Sequence, residues 1–202
     1  MNTNFGHINN SSMENAEIKN FEDSKLILLT VEAAWSIKTD KTERPQVGSS
    51  EATLQKTESG LQFQGELAAV ESSMGLVGFA ITETPLSLDL SPYKYIEFSA
   101  KSKNPKVVYT LSLKDEQAHQ DSGILTFDQE FVVECDWTKV KLPLKNFRPI
   151  IRGRRLEDLE LHLEQVRSLS FEIDRSKQSP DSPIPLNFVL DIGSKVCVTN
   201  QE

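Results

Sequence analysis

The sequence predicts an all-β fold, an antiparallel β-sandwich with one short helix, and three observations carry that expectation. Nine segments of strand length follow one another, several with clear alternation of apolar and polar residues. Turn-forming residues separate them, at Ser91-Pro92, Asn104-Pro105, Asp121-Ser122-Gly123 and across Ser179 to Pro185. No helical segments alternate with the strands, so a parallel βα architecture is excluded.

Taken in order, the ordered chain is expected to begin near Leu26, where the apolar run LILLTV leads to Trp35. The strand candidates are Ala52–Lys56, Leu61–Leu67, Val77–Thr82, Tyr93–Lys101, Lys106–Lys114, Ile124–Glu134, Trp137–Leu142, Val166–Asp174 and Leu186–Val198. Ile96, Phe98 and Ala100 alternate with Tyr95, Glu97 and Ser99. Val107, Tyr109, Leu111 and Leu113 alternate with Val108, Thr110, Ser112 and Lys114. Leu169, Phe171 and Ile173 alternate with Ser170, Glu172 and Asp174. One face of each strand is core and the other wet, as antiparallel sheets allow. The helix is expected at about Leu156 to Gln165, where Leu156, Leu159 and Leu163 share a side and Leu161 does not fit. No internal repeat is visible.

Residues 1–22 are rich in Asn, Ser and Glu and read as a disordered polar tail, leaving residues 23–202 as a single β-sandwich domain. A domain of that length can bury a substantial core without disulfides. The net charge of −8 argues against nucleic-acid binding, which needs a broad basic surface. No apolar run is long enough to span a bilayer. The first residues lack a signal-peptide core. They also lack the arginine-rich character of a mitochondrial presequence, with Glu14, Glu17, Glu22 and Asp23 where such a peptide avoids acids. Cytoplasmic localisation is the expectation, with Cys135 and Cys197 as reduced, partly buried thiols.

Little points to catalysis. His7, His119 and His162 are far apart, and no metal-ligand spacing joins them to cysteines or acids. His119 with Asp121 reads as a solvated polar loop. Gly75-Leu76-Val77-Gly78 lacks the phosphate-binding pattern and reads as a turn entering a strand. Glu172 and Asp174 share the wet face of a strand. They read as solvated carboxylates rather than an acid/base pair. The expectation is no catalytic residue, no metal and no cofactor.

The one concentrated cationic feature lies within DWTKVKLPLKNFRPIIRGRR, Asp136 to Arg155. Val140 and Leu142 face one side of a strand, Lys139 and Lys141 the other, and Pro143 ends the ladder because it has no N–H. Arg148, Arg152, Arg154 and Arg155 follow, four of the seven arginines in the chain. Guanidinium forks suit carboxylates and phosphates and are common interface anchors. These arginines, with Trp35 as an aromatic candidate, form the expected partner-binding set. The rival reading pairs them internally with Glu157, Asp158 and Glu160. Trp35 and Trp137 otherwise read as residues packed at sheet ends. Tyr95 is the one aromatic evident among the wet-face positions of its strand, whereas a sugar-binding face wants several.

In order along the chain, a set of landmarks resembles the complex I intermediate-associated protein 30 family. They are Trp35; Gly60-Leu61-Gln62-Phe63-Gln64-Gly65-Glu66-Leu67; Gly78-Phe79-Ala80; and Leu88-Asp89-Leu90-Ser91-Pro92-Tyr93. Tyr109-Thr110-Leu111-Ser112-Leu113, Trp137-Thr138-Lys139-Val140-Lys141-Leu142-Pro143-Leu144, Phe147, Arg152-Gly153-Arg154 and Phe188-Val189-Leu190-Asp191-Ile192 complete them. The resemblance implies a galactose-binding-like jelly roll, similar in shape to many carbohydrate-binding modules. It also implies a non-enzymatic role, which in mitochondrial members is assembly of respiratory complex I. One segment departs from the family: Lys38 to Ser50 stands where relatives carry a glycine-rich Asp-Gly-Val-Met-Gly-Gly stretch. The functional expectation is a non-catalytic protein-binding sandwich acting as an assembly or scaffolding factor, with a protein as partner. The alternative is a carbohydrate-binding module of jelly-roll type.

Overall fold

The computed structural model describes residues 25–72, 75–120 and 124–201. The expected tail at residues 1–22, the domain start at residue 23, and the turn Asp121-Ser122-Gly123 lie outside the described residues.

In chain order the elements are β1 (Lys25–Thr30), β2 (Ser36–Thr39), α1 (Asp40–Glu43), β3 (Glu51–Thr57), β4 (Gly60–Leu67), β5 (Val70–Ser72), β6 (Gly75–Val77), β7 (Phe79–Leu88) and β8 (Tyr95–Ser102). They continue with β9 (Tyr109–Asp115), α2 (Glu116–Gln120), β10 (Leu125–Phe131), β11 (Thr138–Pro143), β12 (Arg148–Ile151), β13 (Arg154–Arg155), β14 (Val166–Asp174) and β15 (Leu186–Thr199). One sheet has six strands in the order β11-β8-β15-β4-β3, with β1 also pairing β15. The other has seven, in the order β13-β12-β10-β9-β14-β7-β2. A small hairpin, β5-β6, stands apart from both sheets. Every strand pair among the described residues is antiparallel. The expected β-sandwich is therefore the observed fold.

Alternation decides which side chains fill the space between the sheets. Ile96, Phe98 and Ala100 of β8 are buried, as are Tyr109, Leu111 and Leu113 of β9 and Leu169, Phe171 and Ile173 of β14. Each fully buried Phe or Leu contributes roughly 2 kcal/mol of apolar transfer. Aromatic rings knit the layers: Phe98 of the six-stranded sheet meets Phe131 at 5.3 Å and Phe171 at 5.2 Å, both edge-on. The phenol of Tyr109 would be an orphan there but shares a hydrogen bond with Ser102 Oγ at 3.0 Å.

The strand β15 changes neighbours partway along. Leu186 to Gly193 pair with β4, and Lys195 to Thr199 pair with β1. Its register against β8 shifts between Ile192 and Val196, which marks a bulge at Gly193 to Lys195. Gly60 of β4 packs against this bulge at φ 150°, where an added Cβ would lie 1.9 Å from Ile192 O. Only glycine fits that approach.

The expected helix at Leu156 to Gln165 is not formed. Described helices are instead the single turns Asp40–Glu43 and Glu116–Gln120, plus three-residue 3₁₀ turns, of which Leu163–Gln165 falls in the expected segment. Leu159, Leu161 and Leu163 pack against the core while Glu160, His162 and Glu164 are exposed, a period of two. The segment is extended and tied down by polar bonds. His162 N–H donates to Asp115 Oδ2 at 3.1 Å, and Leu90 N–H donates to Leu163 O at 2.7 Å. Leu161, the misfit in a helical reading, was the signal for this.

Candidate functional site

The arginines lie on a tight hairpin at one edge of the seven-stranded sheet. β12 and β13 pair through Ile150–Arg155 and Ile151–Arg154, leaving Arg152 and Gly153 as the turn. Both have positive φ, 49° and 76°, the signature of a type I′ turn. All four arginines are exposed. Arg148 Nη1 donates to Lys145 O at 2.7 Å and to Phe147 O at 3.3 Å. Arg152, Arg154 and Arg155 form no ion pair with Glu157, Asp158 or Glu160 among the described residues. From Lys139 to Arg155 the chain contains seven cations and no acid. Because the three-residue turn Leu144–Asn146 joins β11 to β12, these cations share one flank of the sandwich, where β11 edges one sheet and β13 the other.

Trp35 does not join them. It precedes β2, the opposite edge strand of the same sheet, and six strand spacings of about 4.8 Å separate the two edges by roughly 30 Å. Its indole is half-buried 6.1 Å from the Phe171 ring. It lines a cavity of about 340 Å³ with Ile37, Leu54 and Leu61.

The outer face of the six-stranded sheet carries a groove of about 710 Å³ over the β15 bulge. Its floor holds Glu97, brought beside Cys197 and Lys141 by strand register. Glu97 is buried, and Lys139, Lys25 and Lys141 reach its carboxylate at 3.1, 3.3 and 3.5 Å. Burial pushes this carboxyl up, but bonds from Lys139 and Lys25 outweigh it and hold the group below the usual carboxylate range. Alongside runs a second row. Lys101 Nζ lies 5.2 Å from the Trp137 ring centre and 3.7 Å from Asp191, which accepts from Gln62 Nε2 at 2.8 Å. Lys141 Nζ sits 4.4 Å from the Tyr95 ring centre. Trp137 and Tyr95 therefore each have an ammonium group close to the ring.

The outer face of the seven-stranded sheet is polar yet largely closed to solvent. Lys177 Nζ donates to Asp128 Oδ2 and to Thr110 Oγ1, each at 3.0 Å. Lys114 donates to Glu83 Oε1 at 2.8 Å, as Ser168 Oγ does at 2.9 Å. Glu172 projects onto the same face. Burial, helped by the nearby Asp128 carboxylate, pushes its carboxyl up to about 8. The reading as a solvated carboxylate is therefore corrected for Glu172, whereas Asp174 stays part-exposed. Glu172 is desolvated, and Asp174 caps the turn Arg175–Lys177 by accepting from Ser176 N at 2.7 Å.

A match to a family description now adds to this geometry. Residues 20–187 match the complex I intermediate-associated protein 30 family. The chain belongs to that family. Comparison with curated proteins gives no match. Among solved structures, the chain is similar to the family 11 carbohydrate-binding module of cellulosomal cellulase Lic26A-Cel5E of Clostridium thermocellum. That match has 14% identity, 89% of this chain and 96% of that one covered, and a TM-score of 0.58. A family 11 module from the same organism, in complex with a β-1,3-1,4-mixed-linked tetrasaccharide, matches at 14% identity. It covers 87% of this chain and 95% of that one, with a TM-score of 0.56. The family 30 module of its cellulase Cel9D-Cel44B matches at 14% identity, 89% and 99% coverage and a TM-score of 0.57. At that identity the likeness is one of fold, a jelly-roll sandwich.

In this member of the complex I intermediate-associated protein 30 family, the departing segment Lys38 to Ser50 closes on itself. The buried Asp40 carboxylate accepts from Ser49 N at 3.2 Å and Ser50 N at 3.1 Å, and Thr39 with Thr42 forms a capping box on α1. Gly48 packs so close to the Asp40 backbone that a Cβ there would lie 2.2 Å away. His119 lies in α2 rather than in a loop, and Asp121 is outside the described residues. Cys135 and Cys197 are both free, the first exposed and the second buried. Among the described residues no group of three His, Cys, Asp or Glu is placed to hold a metal. No helix among them is long and apolar enough to cross a membrane. The groove over Glu97 was missed from sequence. Alternation placed Glu97, Lys139 and Lys141 on wet faces, but only strand register brings them together.

Proposed function

We propose that this chain is a non-catalytic protein-docking module, an assembly or scaffolding factor for a multi-subunit complex of respiratory type, acting in the cytoplasm. The observation that carries this reading is the β12–β13 hairpin. Arg152, Arg154 and Arg155 project from it with no ion pair among the described residues, although acids follow directly at Glu157 and Asp158. Unpaired guanidinium groups on a tight turn suit an acidic protein surface, because each can engage a carboxylate through two bonds without first breaking an internal pair. Charge on the short edge strand β13 also discourages sheet-to-sheet aggregation, but Lys or Glu would serve that purpose equally. Membership of the family supports the assembly side of the reading.

The test is affinity capture from the native host with the wild-type chain and with Arg152, Arg154 and Arg155 all changed to Ala. The expected result is loss of the captured subunits and of the assembled complex, with an unchanged melting temperature. Undiminished capture, or a large drop in melting temperature, counts against it.

A second reading, carbohydrate binding, is favoured by Trp137 at the rim of a groove large enough for an oligosaccharide. Against it, Lys101 and Lys141 stand over the rings that would stack on sugar. Titration with a mixed-linked β-glucan tetrasaccharide discriminates, and sub-millimolar binding would promote this reading over the first.

A further inference from the structure

We infer that the groove over the β15 bulge is a second docking site, one that takes an acidic peptide segment of a partner protein with an apolar side chain between its carboxylates. Charge favours an acidic occupant. Lys25, Lys139 and Lys195 line the groove and Glu97 is its one acidic residue. Glu97 is already shared among Lys139, Lys25 and Lys141. Lys195 has no ion pair among the described residues and is exposed. The groove thus keeps surplus positive charge in a chain whose net charge is −8. The next acid along this face, Asp191, is engaged by Lys101 and Gln62.

Shape and apolar surface narrow the occupant. Ile27 is 46% exposed and Trp137 43% exposed, and both line this groove. They offer two apolar contacts flanked by ammonium groups, inside a volume of about 710 Å³, which is in the usual range for a recognition cleft. A compact multivalent anion such as phosphate is a poor fit, because the buried Glu97 carboxylate at the floor would repel it. A peptide spaces its carboxylates along a chain, so they can reach the lysines at the rim while an apolar side chain covers the floor. A pyranose is a poorer fit, because among the described residues Trp137 is the one exposed aromatic ring that lines the groove, and a sugar-binding face wants several. The site also has a structural origin. It lies where β15 leaves β4 and takes up β1, and the bulge at Gly193 to Lys195 opens the notch while turning Lys195 outward.

This rests on the docking reading only in taking a protein segment as occupant; it uses a different face and different residues from the arginine hairpin. The test uses the full chain and a fluorescently labelled short peptide of Asp and Glu around a Leu-Phe pair, read by anisotropy at low and moderate salt. Saturable binding is expected. It should weaken at least tenfold on Lys195→Glu and on Trp137→Ala, weaken with salt, and stay unchanged when Arg154 and Arg155 become Ala. A peptide with the acids replaced by Asn and Gln should not bind. Melting curves of the variants show that they fold; Lys195, exposed and unpaired, is a safe site for that control. The inference is overturned by no binding at low salt, by equal binding of the amide peptide, or by binding that the arginine changes abolish and the groove changes leave intact. Competition by the mixed-linked tetrasaccharide but not by unlabelled peptide also overturns it. Failure here leaves the capture experiment on the arginines standing, since that experiment does not use the groove.

Discussion

Lys177 reaches the Asp128 carboxylate at 3.0 Å across the outer face of the seven-stranded sheet, beside the carboxyl of Glu172, which Asp128 pushes up and Lys177 pulls down. On that face Asp128 pairs with Lys177, and Glu83 pairs with both Lys114 and Lys38. Burial first, and then the nearby Asp128 carboxylate, push the Glu172 carboxyl up to about 8. A raised carboxyl pKa means that the folded chain binds the proton more tightly than the unfolded chain. Stability from this group is full below the unfolded value near 4.5 and is lost as pH rises toward 8. Glu172→Gln is therefore expected to flatten the alkaline limb of stability. The variant should be more stable than wild type at pH 9 and close to it at pH 5. Urea denaturation at both values checks this.

Glu83 has the opposite sign. Burial opposes its ionisation, yet Lys114, Lys38 and Ser168 hold its carboxyl down to about 2. Its contribution is present above the unfolded value near 4.5 and is lost as pH falls toward 2. The shift corresponds to on the order of 3 kcal/mol at neutral pH. Glu83→Gln should lower stability at pH 7 by a good part of that and make acid unfolding shallower. Circular dichroism melts across pH 2 to 7 read both effects.

Two turn glycines should behave differently. At Gly60 an added methyl meets Ile192 O at 1.9 Å and the backbone is at φ 150°, so Gly60→Ala combines a backbone clash with strain. A loss of more than about 3 kcal/mol is expected. At Gly153 nothing lies within 4 Å of the added atom, and only φ 76° is unfavourable. Gly153→Ala should cost about 1 kcal/mol. Equal costs for the two would show that the close approach of β4 to the bulge is not as described.

Arg152 holds φ 49° beside Gly153. Asn tolerates that region better than Arg, so Arg152→Asn should stabilise the chain by roughly 0.5–1 kcal/mol while removing a guanidinium from the hairpin. Greater thermal stability combined with weaker partner capture would separate the turn's backbone role from its charge.

Much of the fold was legible because it rests on alternation. Val166–Asp174 was delimited as observed, and Thr138–Pro143 ends at the proline as expected. Short elements escaped notice: β2, β12 and β13 have too few residues for a period to show. The segment after Arg155 misled because three leucines at helical spacing outweighed the fourth, whereas the core selected the alternating set Leu159, Leu161 and Leu163. The arginine cluster was visible as composition, but its freedom from Glu157, Asp158 and Glu160 was not, since only the hairpin geometry determines what those side chains reach.

The sequence by itself determined the β-sandwich and its inward faces, because a two-residue period commits every other side chain to the interior wherever strands pair. Tertiary structure alone decided that Trp35 and the arginines stand at opposite edges, that Lys25, Lys139 and Lys141 converge on Glu97, and that Glu172 keeps its proton. Those outcomes depend on strand order and register, which bring residues far apart in sequence within a few ångströms and remove water from between them. Local pattern carries no information about which strand lies next to which.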